Sequence, residues 1–302
     1  MATSLRFIHL VSVPCLVISL LLQPFAVLAQ NSSSGASAIA KAYTPTIARC
    51  PSNFTLVRFA GAENASLASE ETAYTSARRD HVLPAAWHAY LSTVQKASSS
   101  ANVSLPSYVS SILSGNSSGS GLPTLGIATS GGGYRAALFG AGVLNALDAR
   151  NASAAHAGTG GLLQAATYLA GLSGGAWLVT SFAQADFLPI PELINGPPGG
   201  PSTPNAWGGW NTDIDLIEPE NSTTANLAFI LGLFAEVSGK HAEGYPLTIA
   251  DVWARLLARH FVNGTSASNF LDDSSTHGAG VLFSDIANVY VHSRLTTASY
   301  YF

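Results

Sequence analysis

ATYLAGLSGGAWLVTSF, residues 166–182, is the stretch on which the fold of this chain turns. A short apolar run, opened by residues that favour extended backbone, gives way at Gly171-Leu172-Ser173-Gly174-Gly175 to a second apolar run compatible with a helix. One hydroxyl therefore stands between glycines at a strand-to-helix junction. Gly-x-Ser-x-Gly in that context is the pattern of a nucleophile elbow, in which a tight turn pushes a serine side chain into the open. The bland reading is a turn that merely reverses the chain. A motif this short recurs by accident in a sequence rich in Gly, Ala and Ser, so its surroundings must decide between them.

Working outward, LPTLGIATSGGGYRAALFGAGVLNALDARN at 122–151 repeats the strand, turn and helix order. Leu125 and Ile127 read as a short buried strand, Ser130-Gly131-Gly132-Gly133 as a turn, and Tyr134 to Arg150 as a helix. Glycines ahead of a helix leave several amide N–H groups without partners, a site suited to an anion. In an acyl-transfer enzyme such donors hold the oxyanion formed when a hydroxyl attacks an ester. A nucleotide phosphate loop would need the Gly-Lys-Ser/Thr ending, or a Gly-x-Gly-x-x-Gly turn with a later acidic ribose ligand, and neither is found. A plain flexible loop stays open as an alternative. Arg135 falls in the first helical turn, where a cation opposes the helix dipole at a cost of about 0.3–1 kcal/mol. A bound phosphate would explain it, because a guanidinium engages two oxygens at once; a salt bridge to Asp148 or Asp186 would explain it too.

The blocks SGGGYRAALFGAGVLNALD and GGLLQAATYLAGLSGGAWLV, in this order and spacing, resemble the catalytic core of the fungal lysophospholipases, or phospholipases B, which are related to the cytosolic group IV phospholipases. YTPTIARCP from residue 43 is similar to that family's mature N-terminal segment, and LTIADVWARLLARHFV at 247–262 to a helix downstream of its nucleophile. The resemblance implies Ser173 as nucleophile, Arg135 as the contact to the substrate phosphate, and Gly132 and Gly133 as oxyanion-hole donors. Ala176 departs from the serine that the family often carries there. It further implies a phospholipase B or patatin-like α/β fold, a central and mainly parallel sheet flanked by helices. The strands ending at Ser130 and Leu172 should then lie together so that their turns share one pocket. The implied reaction needs no metal or organic cofactor. Its substrates would be phospholipids and lysophospholipids at membrane or micelle surfaces.

One element of that family pattern is missing. The family pairs its serine with an aspartate in an Asp-Gly-Gly context, which this sequence does not contain. Asp213, Asp215, Asp251, Asp272, Asp273 and Asp285 each read more simply as turn, cap or surface residues. The expectation is an N-terminal portion of a longer enzyme, incomplete at the C-terminus, with the aspartate beyond Phe302. Two other classes stay open: a Ser-His-Asp esterase using His277 or His292, and a non-catalytic secreted glycoprotein.

The remainder of the chain sets its context. Arg6 followed by an apolar core over approximately Leu10–Leu28, with small residues before Gln30, predicts a signal peptide at 1–29. A flexible leader follows at 30–42, and the catalytic portion is expected over 43–302. Acceptor sequons at Asn31, Asn53, Asn64, Asn102, Asn116, Asn151, Asn221 and Asn263 fit a glycoprotein that is secreted or held at the cell surface or wall. Cys50 would be the lone thiol after cleavage, half of a disulfide or a buried free thiol. With 10% charged residues, a net charge of −4 and no basic stripe, nucleic-acid binding is not expected. Helices are predicted around Ala85–Ala97 and Ser107–Leu113, with Trp87, Tyr90, Leu91 and Val94 at core-facing spacing. The oligomeric state is not legible.

Overall fold

The computed structural model describes residues 38–52, 66–115, 121–201, 206–272 and 275–282. In chain order its elements are α1 (Ala38–Tyr43), α2 (Ser69–His81), α3 (Leu83–Ser100), α4 (Ser107–Leu113), β1 (Leu125–Thr129), α5 (Gly133–Leu147), α6 (Ala152–Ala157), α7 (Leu162–Ala165), β2 (Ala166–Gly171), α8 (Gly174–Gln184), α9 (Ile190–Asn195), α10 (Thr223–Ala242) and α11 (Ile249–Phe261). The helices expected at 85–97 and 107–113 are α3 and α4.

The expectation of a central parallel sheet flanked by helices is corrected here. Among the described residues the molecule is predominantly helical, and its sheet holds two strands. They do run parallel, from Leu125 opposite Ala166 to Thr129 opposite Gly171, joined through α5, α6 and α7. A physical reason is visible at the outer edge of β2. The Arg78 guanidinium on α2 donates to the carbonyls of Gln164 and Ala166 at 2.9 and 2.6 Å, and the Tyr74 hydroxyl donates to Thr167 O at 2.7 Å. Side chains of a helix satisfy carbonyls that a third strand would otherwise take, one of the standard ways to close a sheet edge. Elsewhere the apolar residues recur every three or four positions in Ala- and Leu-rich segments, which favours helix over strand.

Packing then fixes the two strand-to-helix junctions against each other. Ala137, Ala141 and Leu144 of α5 are buried against Leu178 and Phe182 of α8, with Leu163, Ile190, Leu193, Trp207, Trp210 and Phe261 closing the cluster. Each large side chain buried there contributes about 1.5–3 kcal/mol. The helices approach so closely that a β-carbon on Gly140 would lie 2.8 Å from Leu178 Cδ2. A second cluster joins Leu83, Trp87 and Leu91 to Val109 and Ile112, as the helical spacing of α3 predicts; Tyr90 packs at its margin. A third unites Leu233 and Val237 of α10 with Val252 and Leu256 of α11. No described helix is long and apolar enough to cross a membrane. Cys50 is exposed with a free thiol.

Candidate functional site

Ser173 occupies the junction between β2 and α8 with φ 52° and ψ −120°, a conformation that a residue with a β-carbon rarely adopts. Such strain persists only where neighbours impose it, and here they are identifiable. Leu172 N donates to Thr129 O at 3.0 Å, holding the end of β2 on β1, while the amides of Ala176 and Trp177 donate to Ser173 O at 2.8 and 3.1 Å and begin α8. Gly175 sits so near β1 that a β-carbon would meet Thr129 Oγ1 at 2.6 Å and Ser130 O at 2.7 Å. Gly174 lies equally tight on the Gly133 backbone, where a β-carbon would come within 2.9 Å of Gly133 N. The glycines that flank the serine are therefore required by close approach of two turns.

The hydroxyl itself is left available. Ser173 is exposed, stands at the N-cap position of α8, and yet makes no side-chain capping bond to that helix. A serine at an N-cap ordinarily accepts from the second or third helical amide, so its strained backbone turns the side chain away from its usual partner. The glycine-rich turn after β1 meets it: a β-carbon on Gly131 would be 2.9 Å from Ser173 Cβ and 3.6 Å from Ser173 Oγ. The two turns are thus neighbours, as the shared-pocket expectation requires. Gly132 has φ 138° and Gly133 φ 66°, and Gly132 caps α5 with no side chain to occupy the helix's first amides. The positive ends of two helix dipoles converge near one exposed hydroxyl.

Arg135 is exposed on the first turn of α5 and has no hydrogen bond or ion pair among the described residues. The proposed bridge to Asp148 is not formed. That carboxylate is buried under Arg150, whose Nε lies 3.0 Å from both of its oxygens and whose Nη2 lies 2.7 Å from Oδ2, and it also accepts from Gln164 Nε2.

The candidate bases are mostly committed elsewhere. Asp251 accepts from Lys240 at 2.6 Å, from Tyr43, and from the Thr248 amide in a capping box; against the opposing effect of burial, these hold its carboxyl down at about 2. Asp215 Oδ1 accepts the amides of Ile217 and Glu218, which lower its pKa. Asp213 is exposed. Asp272 offers its main-chain carbonyl to His277 Nε2 at 2.8 Å. His277 is fully buried, in contact with Thr265 Oγ1 and Arg259 and not with Ser173. Burial first, then the Arg259 charge, depresses its pKa to about 4. Asp273, Asp285 and His292 lie outside the described residues, as do the sequons at Asn31, Asn53, Asn64 and Asn116. Asn102 and Asn221 are exposed and Asn263 is half-buried, whereas Asn151 caps α6 by accepting from Ser153 N and donates to Asn145 O.

Sequence reasoning passed over an aromatic cluster beneath these turns. Tyr134 follows the three glycines directly, and its ring meets Trp177 at 6.1 Å, His260 at 5.7 Å and Phe261 at 5.5 Å. His260 Nδ1 lies 2.7 Å from Asn211 O, which can only accept, so Nδ1 carries the proton. Its Nε2 and the Tyr134 hydroxyl are both buried without a partner among the described residues. Burial drives the Tyr134 pKa up and that of His260 down, so both stay neutral around pH 7. The available signal was position, Tyr134 and Trp177 each lying one turn or less beyond a glycine junction.

Residues 125–291 match the lysophospholipase catalytic domain as a family. Among known proteins, the chain is 36% identical over 236 residues to lysophospholipase 2 of Saccharomyces cerevisiae, an alignment covering 76% of this chain and 30% of that protein. It is 35% identical over 250 residues to lysophospholipase 2 of Aspergillus fumigatus, covering 81% and 37%, and 34% identical over 229 residues to the lysophospholipase of Penicillium chrysogenum, covering 74% and 34%. The chain spans about a third of the length of these curated relatives. No solved structure matches it.

Proposed function

The chain belongs to the family of the lysophospholipase catalytic domain, and from that premise we propose that it carries the nucleophile and oxyanion site of a serine hydrolase releasing fatty acids from lysophospholipids and phospholipids. The observation that carries the reading is Ser173 itself, exposed, strained at φ 52° and uncapped, with the Gly131–Gly133 turn against it. Ser173 Oγ attacks the acyl carbonyl while its proton passes to a base. The carbonyl oxygen becomes an oxyanion held by the Gly132 and Gly133 amides. Collapse of that intermediate expels the protonated alcohol and leaves an acyl-serine, which water cleaves to the free fatty acid and the regenerated hydroxyl. Arg135, exposed in the first turn after the glycines and without a partner among the described residues, takes the head-group phosphate.

The base is the part of this mechanism that the described aspartates do not supply, since none of them contacts Ser173. An aspartate in the Asp-Gly-Gly context that this sequence lacks is the partner the family resemblance implies. The fully engaged environment of His277 weighs against the Ser-His-Asp alternative built on it. We also assign the chain to the secretory route, on its apolar N-terminal stretch and its sequons.

A fluorophosphonate probe tests the nucleophile without requiring turnover. Covalent labelling that maps to Ser173, and disappears in Ser173→Ala, is the expected result. A folded protein that the probe never labels at Ser173 would sink the reading.

A further inference from the structure

Two of the buried polar atoms in the aromatic cluster have no hydrogen-bond partner among the described residues, the Tyr134 hydroxyl and His260 Nε2. They belong to rings in contact, with centroids 5.7 Å apart and planes inclined at 54°. Beyond the effect of burial, the negative charge of Asp215 favours both the neutral phenol and the protonated imidazole, which places the two rings within range of one carboxylate. His260 is held in a rigid frame. It is 1% exposed, its Nδ1–H donates to Asn211 O at 2.7 Å, and Asn211 answers with bonds from its amide to His260 O at 3.1 Å and from Nδ2 to Arg259 O at 2.9 Å. Phe270 meets the ring at 4.9 Å. With Nδ1 protonated, Nε2 is an acceptor whose direction is fixed.

Tyr134 connects this frame to the candidate site. It follows Gly133 in sequence, and Gly133 lies against Gly174, where a β-carbon would come within 2.9 Å of Gly133 N. Its ring also meets Trp177 at 6.1 Å, and the Trp177 amide donates to Ser173 O at 3.1 Å. A restraint on the phenol is therefore passed to both turns beside Ser173.

Leaving a hydroxyl and an imidazole nitrogen both unmet in a buried place is costly, because each has given up its bonds to solvent. A direct bond between them is not formed. Resting on the reading of Ser173 given above, we propose that one buried water joins the Tyr134 hydroxyl to His260 Nε2, and that His260 is through this bridge a positioning residue for the glycine turn facing Ser173. The water donates one O–H to Nε2 and accepts from the phenol, so each polar atom gains a partner. One neutral acceptor beside one neutral donor calls for a small neutral molecule that can both give and take a hydrogen bond, as waters held inside proteins do.

The test uses the full chain with Tyr134→Phe, His260→Asn and His260→Gln. Asparagine reproduces the Nδ1 donor toward Asn211 and lacks the Nε2 acceptor; glutamine does the converse, and both lose the ring, so their difference reports the acceptor. In nuclear Overhauser spectra a water cross-peak to the His260 ring protons is expected, and it should vanish in Tyr134→Phe. That variant should lower the melting temperature by about 2–4 °C and slow fluorophosphonate labelling of Ser173 about fivefold. His260→Asn should slow labelling at least as much, Tyr134→Phe added to it should slow it no further, and His260→Gln should recover most of the rate. A hydroxyl without a partner predicts the opposite, since its removal relieves a buried unmet group and raises the melting temperature. That rise, the absence of the water cross-peak, additive losses in the double variant, or equal rates in the Asn and Gln variants each overturns the proposal. Should neither His260 variant fold, Tyr134→Phe still decides the outcome, because phenylalanine keeps the ring packing. If the probe labels Ser173 in no form of the chain, the hydrolase reading fails by itself, while the cross-peak and the melting temperature still decide the bridge.

Discussion

Two regions of this molecule gather polar residues in opposite ways. Between α10 and α11, Glu236 accepts from the guanidinium groups of Arg255, at 2.9 Å, and of Arg259, while Arg255 also donates to the carbonyls of Thr276 and His277. Phe270 O accepts from Arg259, which touches the His277 ring as well, and all four side chains are buried. At the β1–α5 and β2–α8 junctions there are two serines, Ser130 and Ser173, five glycines, at 131–133 and 174–175, and an arginine with no partner among the described residues, and much of it faces solvent. By residue type the first region looks like a catalytic centre. Its groups, however, bond one another, whereas the second region leaves a hydroxyl and helix-end amides uncommitted. On the reading proposed for Ser173, what sets the candidate site apart is unspent bonding capacity on a strained turn, rather than an accumulation of acids and bases.

The comparison breaks most visibly at Glu236. Glu236→Gln removes the negative charge that two buried guanidinium groups share, and breaking a buried pair in this way costs about 3–5 kcal/mol. Chemical denaturation should show that loss, while the fraction that stays folded should still label at Ser173 as fast as the unmodified protein. A labelling rate that falls in the folded fraction would mean that the ionic cluster belongs to the site after all.

The converse substitution is Gly174→Ala. A β-carbon there runs into the Gly133 backbone, so the turns must part. Misplacing a nucleophile by about an ångström is enough to cost roughly 10²-fold in rate. Probe labelling of Ser173 should fall by about that factor, with a smaller fractional effect on stability than Glu236→Gln. Unchanged labelling would show that the apposition of the two turns is not what prepares the serine.

Acid should separate the two regions next. His277 has a folded-state pKa of about 4 against an ordinary value of 6.5. The unfolded chain therefore binds a proton between those values that the folded chain refuses. The contribution of His277 is complete above pH 6.5 and is lost as pH falls through 4, on the order of 3 kcal/mol. Stability measured from pH 7 to pH 4 should decline, and His277→Gln should flatten that part of the curve. A profile that keeps its slope in the variant would assign the acid sensitivity to other groups.

How much of this was legible in the sequence depends on how local the cause is. The strand, glycine turn and helix order around Ser173 and Gly131–Gly133 is written in consecutive residues, and so are the helical spacings of α3 and α4. The width of the sheet is not local. Nothing in the sequence around Arg78 or Tyr74 announces that they will occupy the β2 carbonyls, and a family resemblance supplies strands that the described residues do not contain. The aromatic cluster failed to stand out for a similar reason. Tyr134, Trp177, Trp253 and His260 are spread over more than a hundred residues, and only packing α11 beside α5 and α8 brings them together. Arg135 was legible as an anomaly because its fault, a cation in a first helical turn, lies within four residues.

That anomaly provides the finest test of the comparison. Arg255 and Arg259 are buried and ion-paired to Glu236, while Arg135 makes no bond among the described residues that would explain its place against the helix dipole. If phosphate is what it serves, Arg135→Lys keeps the charge and loses the planar two-point contact, so affinity for a phosphate-bearing ester should drop by about tenfold. A neutral ester of the same acyl chain should be affected far less, because it never used the guanidinium. Stability should hardly move, since the side chain is exposed and unpaired. Measuring both esters on the same preparation isolates the phosphate contribution, and the ratio of the two losses is the quantity to read. Equal losses on both would make Arg135 a structural residue, bonded in solution to something on the protein. The contrast between a closed ionic cluster and an open site would then rest on Ser173 and the glycines alone.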